Sequence, residues 1–476
     1  MLQRKSLIAF RVAVSAVFFT LLFTFLLPAI GKAQTPVKEH EGHQVPATSL
    51  QQETMPALTL NDLEAMALKN NPTLAQSEAA LRAVEGQRVQ AGLYPNPIIG
   101  YQGEGFSTRA FNQQSAHAFY IEQEIPLGGK LSKSRNIFAL GKTQAGFTAE
   151  AQKQRVLNAV RMLYYEALGI QQLIEVRTQL TKLGRDAVNV TGELFNVGQA
   201  DRPDVLEIEV EAQRTQLDLL MAENERTQIW QQLGALVGNP MLKPTPLSGE
   251  LGRGVPQLEQ ETLLARLLTE SPEIKRAQTG IEKAKAVVTR AKAEMAPNLF
   301  VRGGWGYSNE TLELRNQTIV KPPGAVGPQG FAQVGIRIPI FNRNQGGIAT
   351  AQAELNIAEQ ERQRVELTIR ARFSVNFRMY QNARQAAEQY EKQIIPRAQQ
   401  AYDLYLAKFR QMAAAYPQVL IAQRTLFQVQ AEYVRAVVTA QQNTVLLQGF
   451  LLSGGLESPM ENANDTNTSA NRGGQQ

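Results

Sequence analysis

Between Pro126 and Pro203 the chain carries no proline, and apolar residues recur at helical intervals. Val156, Val160, Leu163, Ala167, Ile170 and Ile174 are spaced 4, 3, 4, 3 and 4 apart. That heptad seam predicts one very long helix, from Leu127 to Arg202, lying along other helices in coiled-coil fashion. At about 1.5 Å per residue, roughly sixty helical residues reach about 90 Å. Just upstream the period drops to two. In 118–125, Phe119, Ile121 and Ile125 share one face while Tyr120, Glu122 and Glu124 share the other, the alternation of a strand. In 298–307, Leu299, Val301, Trp305 and Tyr307 face one way with Arg302 opposite, and in 331–338 Val334, Ile336 and Ile338 oppose Gln333 and Arg337. A shorter strand near 98–104 sets Ile99 and Tyr101 against Gln102 and Glu104.

These elements occur twice in the same order. Thr59-Leu60-Asn61-Asp62 is a capping-box start with Leu63, Ala67 and Leu68 on one face, and Asn71-Pro72 ends that helix and begins the next. Further along the chain Leu263, Leu267 and Leu268 lead into Ser271-Pro272 in the same way. Tyr94-Pro95-Asn96-Pro97 and Ala296-Pro297-Asn298-Leu299 each open a strand, a polar loop and a second strand. Those second strands end in Glu124-Ile125-Pro126 and Arg337-Ile338-Pro339. The long helices that follow end at Phe195-Asn196-Val197-Gly198 and Phe409-Arg410-Gln411-Met412, and the return helices open at Pro203 and Pro417. The reading is one repeat at 58–248 (strands about 97–126), a linker at 249–256 inside the Gly- and Pro-rich stretch Gly238 to Pro256, and a second repeat at 257–456 (strands about 298–339). The fold class expected is mainly α with a small β part.

Apolar on one side and charged on the other, such strands suit a barrel wall between lipid and a wet lumen; the alternative is a hairpin packed on a soluble core. A soluble sheet needs helices to cover it, whereas these helices leave as long rods. Two hairpins supply four strands, and the smallest membrane barrels need about eight. An open edge in lipid leaves unpaired backbone groups at a cost of several kcal/mol each, so several copies must share one wall.

Composition adds less. The formal charge of +6 falls to +2, 45 basic against 43 acidic residues, once Arg4, Lys5, Arg11 and Lys32 are set aside. No basic run with interleaved aromatics points to nucleic acid. The first 33 residues combine a basic start, an apolar run from Val12 to Ile30 and Gly31-Lys32-Ala33 before Gln34. This reads as a secretory signal cut after Ala33, with a retained membrane helix as the alternative. The absence of cysteine fits an oxidising compartment and excludes a lipidated cysteine anchor. Residues 34–57 read as a flexible N-terminal segment. It holds His40-Glu41-Gly42-His43, taken as solvated linker, with transient metal capture by His40 and His43 as the alternative, because a tight site wants a fixed second shell. Residues 457–476, rich in Asn, Ser, Thr and Gly, read as a disordered tail.

The duplicated helix–strand–strand–helix pattern resembles the TolC-type outer membrane efflux family over residues 58 to about 455. Tyr94-Pro95-Asn96-Pro97, Pro126-Leu127-Gly128-Gly129-Lys130 and Pro339-Ile340-Phe341-Asn342-Arg343-Asn344-Gln345-Gly346 are similar to its heavy-metal (cobalt–zinc–cadmium type) branch. The resemblance implies a homotrimer in outer membrane lipid, a 12-stranded β-barrel continued by a helical coiled-coil barrel across the periplasm. It further implies docking to a periplasmic adaptor and an inner membrane resistance-nodulation-division pump, with no catalysis and no cofactor. Family helix tips carry a Val-Gly signature, matched by Val197-Gly198; the second tip departs from it with Arg410, Gln411 and Met412. Asp201, Arg202 and Asp204 lie at the first tip. Threefold repetition would turn an acidic residue there into a cation-selecting ring, whereas the plainer reading is helix capping by Asp201 or Asp204. Gly128, Gly129, Gly346 and Gly347 are expected to supply the backbone angles of the strand-to-helix turns, and Pro396 a kink in the second long helix.

No catalytic constellation stands out: the only histidines are His40, His43 and His117, and no phosphate loop or nucleotide fingerprint is present. The leading expectation is a passive export duct for metal cations or other toxic small solutes. Export of organic drugs or proteins through the same architecture, and a non-conducting periplasmic coiled-coil adaptor or scaffold, are the alternatives.

Overall fold

Thr59 starts the first ordered helix as the sequence predicts. Its hydroxyl accepts the Asp62 N–H at 3.2 Å while the Asp62 carboxylate accepts the Thr59 N–H at 3.0 Å, so two orphan donors are satisfied reciprocally. The computed structural model describes residues 57–105, 115–252, 255–309, 312–313, 319–320, 326–411, 413 and 416–458. The signal reading at 1–33, His40, His43, Met412 and most of the 457–476 tail lie outside the described residues.

Helix α1 (Leu60–Asn70) ends at Asn71, which also caps α2 (Pro72–Gln90). The Asn71 side chain accepts the Thr73 N–H at 3.0 Å and donates to the Leu236 carbonyl at 2.8 Å. One buried amide thus serves two helix ends. Strands β1 (Ile98–Glu104) and β2 (Ala116–Pro126) follow, then α3 (Lys130–Asn196) and α4 (Arg202–Leu236). The second copy runs α5 (Gln260–Glu270), α6 (Pro272–Ala293), β3 (Asn298–Asn309), a small ladder of β4 (Leu312–Glu313) with β5 (Ile319–Val320), and β6 (Val326–Arg337). It closes with α7 (Gln345–Gln389), a π-helical turn (Tyr390–Ile394), α8 (Ile395–Arg410) and α9 (Tyr416–Gln448). Helix–strand–strand–helix therefore occurs twice.

Helix α3 is the 67-residue rod, about 100 Å long at ~1.5 Å per residue. It begins and ends inside the expected span because Gly128 and Gly129 at one end and Gly198 at the other take left-handed φ angles of 70°, 68° and 74°. Its heptad seam is buried as the spacing requires. Val156, Val160, Ala167 and Ile170 are buried, and Leu163 and Ile174 pack partly buried against the same cluster, with Leu63, Ala67, Trp230 and Leu233 opposite. A second cluster, Leu267, Ile369, Phe373, Phe377 and Tyr380, holds α5 to α7. Each fully buried valine, leucine, isoleucine or phenylalanine among them contributes about 1.5–3 kcal/mol through burial.

At Pro396 the helix accommodates the ring by widening. The π-helical turn Tyr390–Ile394 immediately precedes it, which absorbs the missing i→i−4 bond without ending the rod.

The four long strands form one antiparallel sheet in the order β1-β2-β3-β6. The hairpins β1–β2 and β3–β6 each come from one copy, and the β2–β3 ladder joins the copies, with Pro126 opposite Asn298 and Phe119 opposite Trp305. Strands β2, β3 and β6 run further toward the loops than the alternation alone indicates, because Gly306, Gly327 and Gly330 interrupt the hydrophobic pattern without interrupting the ladder.

The segment that follows α9 is pinned to α3 by Asn158. Its side-chain NH₂ donates to the Gly449 and Leu452 carbonyls, both at 2.8 Å, beside Phe450 and Leu451, which carry left-handed φ angles of 62° and 58°. A Cβ on Gly449 would stand 2.0 Å from Asn158 Oδ1, so glycine is required there. Asn158→Leu leaves two buried carbonyls unpaired, at about 1–3 kcal/mol each. Thermal unfolding of the purified protein should show a midpoint several degrees below wild type; an unchanged midpoint would refute the anchoring role.

Candidate functional site

The two faces of the sheet differ as the alternation predicts. On one face Ile99, Phe119, Trp305 and Val334 are 78%, 68%, 67% and 68% exposed, with Tyr101, Ile121, Tyr307 and Ile336 also open. So large a contiguous apolar surface demands a non-aqueous neighbour. The helices offer no alternative covering, and among the described residues no helix is long and apolar enough to cross a membrane. The opposite face carries Gln102, Glu122, Arg302 and Gln333, the last three aligned across β2, β3 and β6. Tyr120 and Phe331 also lie on this polar face, over Gly100 and Gly304, where any Cβ would come within 2.4 Å and 2.5 Å of the ring. Both outer strands, β1 and β6, have one unpaired edge.

Where the sheet meets the rods, a continuous polar chain crosses between the copies. Lys130, the first residue of α3, is only 5% exposed. Its ammonium donates to Asn298 Oδ1 at 2.7 Å and pairs with Glu294 at 3.1 Å, while Asn298 donates to Glu124 at 2.6 Å. Arg290 closes the far side, bonding Glu294 and donating to Ser134 Oγ at 2.7 Å. Burial would raise the Glu294 carboxyl, but the bonds from Arg290 and Lys130 outweigh it and hold it below its ordinary value. Strands β2 and β3 and helices α3 and α6 are locked together at one point.

The two strand-to-helix turns are built differently, which corrects one expectation. Gly128 and Gly129 do adopt left-handed angles, and a Cβ on Gly128 would lie 2.5 Å from the Ala296 side chain. Gly346 and Gly347 do not have positive φ angles; Asn344, at φ 61°, makes the left-handed turn in the second copy. Asparagine tolerates that region, and here its amide donates to the Ala291 carbonyl at 3.0 Å. Gly347 serves by being small, since a Cβ there would meet Asn344 Oδ1 at 2.3 Å.

At the first helix tip Val197 is 68% exposed. Gly198 closes α3 with its N–H bonded to the Phe195 carbonyl, and Gln199 bonds the Leu194 carbonyl at 2.8 Å. Asp201 caps α4, and the Asp204 carboxylate accepts the Asp201 N–H at 3.0 Å; Arg202 begins the helix, exposed. The capping reading thus accounts for Asp204. The second tip is formed by Arg410 and Gln411, both exposed, with the Gln411 N–H on the Ala407 and Lys408 carbonyls. The rings of Phe409 and Tyr416 close it, 5.0 Å apart.

A family model described as outer membrane efflux protein matches residues 63–239 and 263–451. The chain is 25% identical over 398 residues to the cobalt-zinc-cadmium resistance protein CzcC of Cupriavidus metallidurans, covering 83% of this chain and 90% of that one. It is 23% identical over 426 residues to the pyoverdine export outer membrane protein OpmQ of Pseudomonas putida, covering 83% and 86%. Its fold is similar to that of the outer membrane protein VceC of Vibrio cholerae, with a TM-score of 0.66 at 19% identity over 84% of this chain and 97% of that one.

Two junction residues, Lys130 and Asn298, fall inside sequence motifs whose glycines and prolines drew attention first; the only sequence signal for them is a lone lysine after Gly-Gly and an asparagine after Pro. Lys130→Met removes the buried cation that pairs with the partly buried Glu294 carboxylate and should destabilise the protein by about 2–4 kcal/mol, less than a wholly buried pair because Glu294 reaches water. Arg82→Gln, at an exposed 3.9 Å pair, should change stability little. Because the Glu294 carboxyl is depressed below 4.5, the stabilisation is present above that pH and lost as pH falls through the folded value. Acid unfolding curves of wild type and Lys130→Met should therefore converge at low pH, and parallel curves would count against the junction.

Proposed function

The chain belongs to the outer membrane efflux protein family, and from that membership we propose that it is the outer membrane component of a three-part efflux system. It lies in the outer membrane with its helical part in the periplasm. In this reading it is a passive trimeric duct that receives heavy-metal cations or other toxic small solutes from an adaptor and an inner membrane pump, and it catalyses nothing. Its two repeats are 58–248 and 257–456.

The observation that carries the reading is the four-stranded sheet with one apolar face, one polar face and two open edges. In lipid those edges must be paired, and four strands are about half of the smallest closed barrel. Three copies joined β6 to β1 close the wall. The duplication supplies the register. Pro126 pairs with Asn298 within the chain; Pro339 is the counterpart of Pro126 and Asn96 the counterpart of Asn298. Pro339 therefore pairs with Asn96 of a neighbouring copy, which sets Val334 opposite Tyr101. Both side chains lie on the apolar face. The chain's lack of cysteine makes the test clean. Tyr101→Cys combined with Val334→Cys should give covalent trimers with a short thiol cross-linker in outer membrane fractions, whereas Ile99→Cys with Val334→Cys should not. Monomers alone from the first pair, or equal yields from both, would reject the register.

The metal reading rests on the CzcC relative, and the OpmQ relative keeps organic cargo as the second reading. Val197, Gly198, Asp201 and Arg202 at the first tip, and Arg410, Gln411 and Met412 at the second, are the proposed adaptor contacts and gate. Deleting the gene should lower tolerance to zinc, cobalt or cadmium several-fold and leave tolerance to common antibiotics unchanged; the opposite pattern would favour organic cargo.

A further inference from the structure

Arg302 occupies the middle of the polar face of the sheet, in register with Glu122 on β2 and Gln333 on β6. Its guanidinium stands 3.6 Å from the centroid of the Tyr120 ring and 5.9 Å from that of Phe331. One Nη donates to the Gln102 side-chain oxygen on β1. Its Nε is buried without a hydrogen-bond partner and lies 4.0 Å from the Glu122 carboxylate. One side chain on β3 therefore touches β1 and β2 and approaches β6, held in place by stacking, one hydrogen bond and one opposite charge.

Arginine is suited to this position: it stays charged at every working pH and stacks flat on a ring. Gly100 and Gly304 make the stack possible by letting Tyr120 and Phe331 lie down on the backbone. The arrangement commits residues on four strands, and packing alone could have been met by an uncharged side chain. What the guanidinium adds is a fixed positive charge beside the only carboxylate in its row.

We propose that Arg302 is the charge-balancing residue of the channel wall, neutralising Glu122 so that the middle of the lumen does not favour cations over anions. The proposal rests on the trimeric duct reading, in which the polar face lines water and each feature occurs three times. Without Arg302, three uncompensated Glu122 carboxylates would form an acidic belt. Such a belt concentrates cations and would hold back a divalent cation on its way out.

The test is the reversal potential of the purified trimer in planar bilayers under a potassium chloride gradient. Arg302→Gln should raise the cation-to-anion permeability ratio about twofold or more, as expected for a bare charged ring. Glu122→Gln should lower it, and Arg302→Gln with Glu122→Gln should return it toward wild type. Arg302→Lys, which keeps the charge but not the planar stack, should stay near wild type. A purely structural role would instead make Arg302→Lys resemble Arg302→Gln. If Arg302→Gln fails to assemble, Glu122→Gln alone decides, because an unchanged ratio there overturns the proposal. A conducting wild type whose ratio is the same in Arg302→Gln overturns this proposal alone. A wild type with no conductance overturns it together with the duct reading.

Discussion

The fold depends on what becomes of the backbone groups at the two outer edges of the sheet. A four-stranded antiparallel sheet always has two edges, and water can satisfy them at little cost. Here the same strands also carry an exposed apolar face that no helix among the described residues covers, which calls for hydrocarbon rather than water around the sheet. Unpaired N–H and C=O groups facing hydrocarbon cost several kcal/mol apiece. In the proposed trimer, other copies of the chain meet that demand, since the four strands of the sheet are too few to close a barrel. The duplication makes the solution economical. The β2–β3 ladder already shows how a strand end of the first repeat meets a strand start of the second, and the proposed seam between copies would repeat that meeting with the repeats exchanged.

Holding a lipid-facing sheet on top of water-facing rods places the greatest demand on the joint. The chain answers with a buried lysine rather than a greasy plug, and the choice has a physical reason. The ends of α6, β2 and β3 and the start of α3 converge there, each with backbone or side-chain polar groups that need partners. Lys130 and Asn298 satisfy carboxylates from two elements at once. The second copy solves the same turn with Asn344 in the left-handed region and its amide on the Ala291 carbonyl. Two turns of one repeat thus diverged in chemistry while keeping one geometry, so the repeats are alike in path more than in residues.

Much of this was legible in the sequence. The seam of Val156, Val160, Ala167 and Ile170 announced the rod because a period of 3.5 leaves no other arrangement. The alternation around Phe119 and Trp305 announced the two-faced wall, and the matching return-helix starts at Pro203 and Pro417 announced the duplication. The junction was less legible. A lysine in a sequence carries a strong prior for solvent, and only three-dimensional convergence shows that Lys130 has none. The sequence points to Gly346 and Gly347 because glycine is the usual left-handed residue, whereas Asn344 takes that angle here with its side chain on a carbonyl. Arg302 showed only as a charge on the polar face; its contact with Tyr120 depends on a cross-strand register that no single strand reveals.

The tips obey the same electrostatic logic as the wall. Asp201 and Asp204 look like the makings of an acidic ring, but both sit at the N-terminus of α4. There the helix dipole presents about half a positive charge, and the Asp204 carboxylate already accepts the Asp201 N–H. Arg202 adds a full positive charge next to them. Each carboxylate is therefore partly answered by its own surroundings, as Glu122 is by Arg302. A pathway whose fixed charges are balanced locally presents shallow wells to an ion of either sign, so that solutes which enter also leave. In the proposed three-part system, steep selection is then better placed upstream, in the partner proposed to supply the energy, and the duct's own sequence need only avoid undoing it.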